Sequence, residues 1–452
     1  MSELQPHGYV AKGGGTTGAT FAEINEGVYG DIMRGNIPPP SVLVCSAPGR
    51  IPEQIEETKK LTDHAIAAQN ALRIGDNIAF AENFDVITSR FLGIIEGFNL
   101  DERKYLELLE QYEGALKLHV AQAGIPELIQ GKILSDLIPN SELVWPDEAV
   151  ALDEFGRIDS EKTKRMARKR LAQVEPGKTA IVPAHNGIDS LGHMLELTRG
   201  SGDAVGGHMA RAKEEPYVIF TDTDGIYSAD PRQIRTRPIK RKYLTFAELH
   251  AATQGGAYVV HVEGIRPVEQ MAGRMEIRHY RKSSTEGTIV TQKRNAPSGE
   301  AVRIITGEVG NKTLRIVRRG GAPEDDFEHR VTSALRELEI AAKRVTADGQ
   351  GATIIIDDGA FDKQDRGKLR KLAGADSVEI DDGIGLISIV GYGFLKSADA
   401  LQRVGKAFAD SGVNPRTIDT TGRRSALVAT VKPEEFSKAI QGLHSDLVGT
   451  VS

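Results

Sequence analysis

A single cysteine, Cys45, in 452 residues excludes an internal disulfide and any cysteine-based metal cluster. The expected compartment is the reducing cytoplasm. No apolar run approaches the roughly 20 residues that span a bilayer, and Met1 to Gly8 lacks the charged and apolar regions of a secretory leader. Neither membrane insertion nor secretion is expected. Positive charge is also scarce. With 57 Lys and Arg against 63 Asp and Glu, the formal net charge is −6, so neither nucleic acid nor an anionic membrane finds a polybasic footprint. Histidines such as His185, His193, His208 and His261 stand at no metal-ligand spacing, so core or surface roles are expected for them and no metal ligand is assigned. Length, by contrast, suffices for more than one domain with a large core.

Three glycines close a short extended segment, Tyr9-Val10-Ala11-Lys12 followed by Gly13-Gly14-Gly15-Thr16-Thr17. A backbone without Cβ atoms turns sharply there and aims amide donors at an anion. Gly14, Gly15 and Thr16 are candidate phosphate contacts, and Lys12 is a point charge for a transferring phosphoryl group. No Gly-Lys-Ser/Thr follows four residues after the first glycine, so this is not a P-loop. Alone, the turn reads equally as a glycine bend with a solvated lysine. A second stretch narrows the choice. Tyr217-Val218-Ile219-Phe220 has the apolar composition of a buried parallel strand, which puts Thr221 and Asp222 at its C-terminal end, where open α/β sheets place ligands. Asp224-Gly225 supplies a turn, and Pro231 forces Asp230 out of helix. Tyr227 is a candidate to flank a base or ribose, and Arg232 to grip phosphate. Aspartates in such a turn also serve simply as caps for backbone amides.

Together the two stretches resemble the aspartate kinases of the amino acid kinase superfamily. The first is similar to that family's Lys-Phe-Gly-Gly-Thr-Ser, with Gly13 in place of Phe. The second, Thr221 to Arg232, is similar to Thr-Asp-Val-Asp-Gly-Val-Tyr-Thr-Ala-Asp-Pro-Arg almost residue for residue, which places Thr221, Asp222, Tyr227, Asp230 and Arg232 at a nucleotide. Thr198-Arg199-Gly200-Ser201-Gly202-Asp203 is similar to Gly-Arg-Gly-Gly-Ser-Asp. The resemblance implies that Arg199 and Ser201 bind the substrate, and that Lys12 and Asp203 form the catalytic pair. Three positions depart from the pattern. Tyr258 stands where the family has a lysine near the nucleotide phosphates, and a phenol carries no charge at neutral pH. In Ser46-Ala47-Pro48-Gly49-Arg50-Ile51-Pro52, Pro52 falls where a substrate-contacting threonine is expected, leaving Ser46 and Arg50 as substrate contacts. Pro126-Glu127, opening a helix from Leu128 to Leu137, is the best match to a Gly-Glu whose carboxylate holds the substrate amino group.

Strand-like and helical stretches alternate from Tyr9 to about Val290, the rhythm of a parallel sheet between helical layers. A helical zone is expected from Glu53 to Ala123, where Tyr105, Leu108, Leu109 and Tyr112 share one face. That face suits a lid, a dimer surface or plain core. Glu154 to Val174 reads as a basic, solvated surface helix. Arg294 to Gly299 reads as a linker between a catalytic domain, 1–293, and a C-terminal region, 300–452. In that region strands are expected at 313–317, 353–356, 377–380, 386–391, 416–419 and 425–431, and helices at 325–342, 362–372, 398–411 and 433–443. Allowing for strands shared or missed, this is a ferredoxin-like repeat. Ile387 to Phe394, followed by Ser411-Gly412-Val413-Asn414, resembles the ACT modules found behind aspartate kinase domains. The expected fold class is therefore α/β, an amino acid kinase-like parallel-sheet sandwich of three αβα layers followed by tandem ferredoxin-like ACT modules. The resemblance implies an amino acid effector near Gly393, Ala398, Asp399 and Asn414, and a homo-oligomer, dimer or higher, joined through the modules. A module kept only for dimerisation fits the same loop.

The chemistry implied is phosphoryl transfer from ATP, with Mg²⁺ carried mainly by phosphates and water, to the side-chain carboxylate of L-aspartate. That carboxylate is already ionised at neutral pH, so no general base is needed. Two other readings stay open: a homologue acting on a different amino acid, and a nucleotide- or amino-acid-binding regulatory homologue with little turnover.

Overall fold

A computed structural model describes residues 8–51, 59–117, 124–198, 200–257, 260–293, 302–318, 326–338, 340, 342–348, 351–362, 364–391, 394, 397–420 and 425–448. The chain forms two compact units. The first comprises Met1–Ile226, Arg241–Phe246 and Val259–Asn295, the second Tyr227–Lys240, Ala247–Tyr258 and Ala296–Ser452. The boundary expected near residue 293 falls beside the Asn295 end of the first unit, and two earlier segments, Tyr227–Lys240 and Ala247–Tyr258, go with the second unit as well. The segment after Ile226 goes with the second unit because Ala229 and Ile234 pack into its core and Ile305 N–H donates to the Ser228 carbonyl at 2.8 Å.

In the first unit, eight strands make one sheet. They are β1 Val10–Gly13, β2 Val42–Cys45, β3 Ser141–Leu143, β4 Thr179–Pro183, β5 Tyr217–Thr221, β6 Tyr243–Thr245, β7 Met275–His279 and β8 Thr288–Thr291. Their order is β6-β8-β7-β5-β1-β2-β4-β3. Every pair is parallel except β7 with β8. The central strands are apolar runs covered on both faces, as parallel strands must be. Ala11, Leu43, Cys45, Ile181, Val218 and Phe220 face one core, shared with Phe91, Tyr105, Leu109 and Tyr112. The opposite face of β1 and β2 meets the helix Ser201–Lys213. The expected helical zone is broken into Leu61–Arg73, Asn77–Gly97 and Glu102–Lys117, and its Tyr105, Leu109 and Tyr112 face is core. The basic helix Ser160–Leu171 is less solvated than its charge suggests. Thr163, Ala167 and Leu171 are buried, and Arg170 reaches Glu142 at 2.8 Å and Glu148 at 3.1 Å.

The second unit holds a six-stranded sheet, β9 Ile304–Val317, β10 Ala342–Asp348, β11 Gly351–Asp357, β12 Ser377–Val390, β13 Thr417–Thr420 and β14 Ala426–Val431, in the order β10-β11-β9-β12-β14-β13. All its pairs are antiparallel. Two ferredoxin-like modules share it. One uses the second half of β9, β10, β11 and the first half of β12, with helices Phe327–Glu337 and Asp365–Ala373. The other uses the second half of β12, β13, β14 and the first half of β9, with helices Ala400–Asp410 and Pro433–Leu443. The first module is thus inserted in the second, and the register shift between Glu308 and Asn311 marks the handover. Each module keeps its own core. The expected strands at 313–317, 377–380 and 386–391 are pieces of the two long ones. The helix expected to reach 342 stops at Glu337, and the missed strand Ala342–Asp348 follows; its sequence, Ala-Lys-Arg-Val-Thr-Ala-Asp, carries too little apolar alternation to announce an edge strand.

Phe408 is 1% exposed at the centre of the second module's core. Phe408→Ala is expected to destabilise the fold by about 3–5 kcal/mol, read as a lower midpoint in chemical denaturation followed by circular dichroism. An unchanged midpoint would mean that this core is not packed as described.

Candidate active site

Parallel pairing aligns Gly13 with Cys45 and with Phe220, and Cys45 with Pro183. The residues that follow β1, β2, β4 and β5 therefore leave the sheet at one edge, the carboxyl edge where open α/β sheets bind ligands. The glycine turn after β1 is forced by close contacts. A Cβ on Gly13 would lie 2.0 Å from the Tyr29 hydroxyl, which accounts for glycine at this position. A Cβ on Gly49, in the turn after β2, would lie 2.5 Å from the Gly15 carbonyl carbon. The two turns are joined where Gly49 N–H donates to the Gly15 carbonyl at 2.8 Å. Gly14 N–H is spent on the Phe220 carbonyl at 3.2 Å, so Gly14 lies at the β1–β5 seam.

Lys12 and Asp203 meet across this edge. Lys12 Nζ is 2.8 Å from Asp203 Oδ1, a charge contact without the alignment of a hydrogen bond. The Asp203 Oδ2 accepts from His261 N–H at 2.8 Å. Asp203 occupies the first turn of the helix Ser201–Lys213, where the helix dipole favours an anion. The helix begins after Gly200 at φ +89°, and a Cβ there would collide with the His261 ring at 2.4 Å. Gly202 lies close to Ser46 and Lys12, since a Cβ would stand 2.9 Å from Ser46 Oγ and 3.2 Å from Lys12 Cε. Lys12, Ser46 and Asp203 are thus one cluster, with Ser201 opening the same helix.

Glu127 lies in the first turn of the helix Ile125–Leu137 and is 4% exposed. The Thr62 hydroxyl donates to its Oε1 at 2.8 Å, while among the described residues Oε2 has no partner. Burial raises its pKa to about 8, against the Thr62 hydroxyl, the backbone amides of Glu127 and Ala47 and the Lys60 charge, which lower it. The ionised form of such a carboxylate is costly to bury unless a cationic group or a hydrogen-bond donor stands beside it. His185, after β4, is buried with Nδ1 3.2 Å from Ser201 Oγ, and burial pushes its pKa down to about 4.

The remaining sequence candidates are scattered or occupied. Thr221 donates to Asp222 Oδ1 at 3.1 Å at the end of β5, and Thr16 begins a single 3-10 turn. Tyr227, Asp230 and Arg232 fall in the second unit. There Arg232 grips the Asp230 carboxylate with Nε at 3.0 Å and Nη2 at 2.7 Å, which holds Asp230 below the usual carboxylate range. Arg50 is exposed. Ala398 and Asn414 are exposed as well, and Asp399 accepts from the Ser397 hydroxyl. Arg199, Tyr258, Pro52 and Gly393 lie outside the described residues. Sequence reading missed Thr62, Gly49, Gly202 and the placement of His185. The Gly49 signal was present in Pro48-Gly49 after a strand, but its partner glycine lies in another turn.

The sequence profile of the Amino acid kinase family matches residues 34–279, more than half of the chain. The chain belongs to the amino acid kinase family. Within it, the chain is 26% identical over 276 residues to Aspartokinase 3 of Bacillus subtilis, a match spanning 60% of each protein's length. It is 24% identical over 311 residues to an aspartate kinase of Pseudomonas fluorescens, covering 67% of this chain and 72% of the relative. The solved Clostridium acetobutylicum aspartate kinase superposes with a TM-score of 0.79 at 22% identity, over 97% of this chain and all of that one. Escherichia coli aspartokinase III in complex with aspartate and ADP superposes at 0.78 with 19% identity, over 97% and 99%. The shared architecture therefore extends through both units of this amino acid kinase.

The raised pKa of Glu127 makes a stability prediction. Between about 4.5, its unfolded value, and about 8 the native state holds the proton that the unfolded state has released, so stability falls as pH rises through this window. Glu127→Gln has no such proton. The variant's unfolding free energy should gain on the wild type's from pH 5 to pH 8 by an amount on the order of a few kcal/mol, read as a relative rise in melting temperature; parallel curves would show that the carboxylate is not buried as described.

Proposed function

We propose that this protein is an ATP-dependent aspartate kinase, forming 4-phospho-L-aspartate at the carboxyl edge of the first unit's sheet. The observation that carries the reading is the Lys12–Asp203 ion pair, set at 2.8 Å between the glycine turn and the start of the helix Ser201–Lys213. The names of the relatives and of the superposed structures agree with it.

In this reading the substrate's side-chain carboxylate attacks the γ-phosphorus in line. The bond from phosphorus to the bridging oxygen breaks, and ADP leaves. Lys12 meets the charge on the transferring oxygens, and Asp203 fixes its position without a proton changing hands. Glu127 takes the substrate ammonium through its vacant Oε2, and Ser46, Ser201, Arg50 and Arg199 bind the rest of the acceptor. Gly14, Gly15, Thr16, Thr221 and Asp222 are assigned to the nucleotide. For Tyr227, Asp230, Arg232 and Tyr258 the same assignment rests on sequence alone. Among the described residues no group of three or more His, Cys, Asp or Glu offers a metal cage, so no residue is assigned to Mg²⁺, which belongs with the phosphates and water. Among those residues no helix is long and apolar enough to cross a membrane, and a cytoplasmic enzyme is the reading adopted. The ferredoxin-like modules are assigned an amino acid effector near Ala398, Asp399 and Asn414, and a homo-oligomeric contact.

Lys12→Ala should leave the circular dichroism spectrum unchanged and lower kcat for aspartate-dependent ADP release by at least 10²-fold, the scale on which single charge-stabilising groups act. Turnover within a few-fold of wild type would remove Lys12 from the mechanism.

A further inference from the structure

His185 stands at φ +82°, on the left-handed side of backbone space that residues other than glycine adopt uncommonly. Such strain persists only where surrounding structure holds it, and it clusters at functional sites. Here the hold is visible. Leu197 N–H donates to the His185 carbonyl at 2.7 Å, the ring is buried, and Nδ1 lies 3.2 Å from Ser201 Oγ. The next residue, Asn186, is buried too, and a Cβ on Gly124 would lie 2.0 Å from its Oδ1. Gly124 caps the helix that carries Glu127, and Ser201 opens the helix that carries Asp203. Ala184 and His185 form the bend after β4, and Asn186 opens the next short strand, Asn186–Ile188; His185 and Asn186 thus touch the starts of both acceptor-side helices. Burial keeps the imidazole neutral near pH 7, with its pKa pushed down to about 4, so the ring adds no charge that would compete with Lys12.

We propose that His185 is a positioning residue for the acceptor pocket, its strained turn and buried ring locking Ser201 in register with the Glu127 helix. The proposal rests on the reading that Ser201 and Glu127 meet the acceptor. It gives a physical reason for a histidine at this backbone angle: glycine satisfies the backbone but leaves Ser201 without its ring partner.

The test uses the full chain with His185→Gly, His185→Asn, Ser201→Ala and the His185→Gly/Ser201→Ala double variant. Asparagine tolerates the left-handed backbone and keeps a polar group near the Nδ1 position. His185→Gly is expected to melt at or above the wild-type temperature, since relief of strain offsets lost packing, yet to raise the KM for aspartate about tenfold, the scale of one lost hydrogen bond, with the KM for ATP unchanged. His185→Asn should recover most of that loss, and the double variant should be no worse than Ser201→Ala. A lowered melting temperature with both KM values rising together, or an unchanged aspartate KM, would overturn the proposal and leave His185 a packing residue. If the wild type turns over no aspartate, the functional reading fails separately. The same variants are then compared by calorimetric titration with L-aspartate, where equal behaviour across the set would overturn the positioning role as well.

Discussion

The Lys12–Asp203 ion pair is the constraint on which the rest of the site depends, and in the proposed reaction it holds the lysine in place without using it up. Both side chains are largely withdrawn from water, 14% and 11% exposed, and withdrawing charges from water carries a desolvation cost that good geometry and further hydrogen bonds must offset. What makes it tenable is the second oxygen of Asp203, taken by the His261 amide, and the start of a helix beneath it. The pair thus joins a central strand to a helix far along the chain. The closing contacts are tight where glycines stand: Gly200 lies under the His261 ring, Gly49 lies against the Gly15 carbonyl carbon, and Gly202 lies beside Lys12 and Ser46.

The acceptor side is governed by the opposite problem, a charge with too few partners. Glu127 is buried with one oxygen satisfied by Thr62 and one vacant, and its raised pKa is the measure of that imbalance. In the proposed reaction the substrate ammonium favours the ionised form of this carboxylate. The neutral His185 and the adjoining Asn186 complete this side without adding charge.

Much of this was legible in the chain. The parallel sheet followed from buried apolar runs such as Tyr217–Phe220, and the Lys12 turn from three consecutive glycines. Asp203 was reached only through resemblance, since nothing local distinguishes an aspartate in a helix's first turn from a cap. The shared strands of the second unit were read as fragments because each half of Ile304–Val317 and Ser377–Val390 faces a different core, and periodicity breaks at the bend. Arg232 was expected at phosphate, whereas here it grips Asp230 two residues away, a pairing that sequence spacing permits but does not announce. His185 was passed over because its signal is a backbone angle, which no residue type declares.

The central claim is that this edge of the sheet transfers a phosphoryl group to the side-chain carboxylate of L-aspartate. It is tested most directly by incubating the protein with MgATP and L-aspartate in the presence of hydroxylamine, which traps an acyl phosphate as its hydroxamate. The account predicts aspartyl β-hydroxamate formed in step with ADP. ATP binding with no ADP or hydroxamate, or ADP release only with a different acceptor, would contradict it.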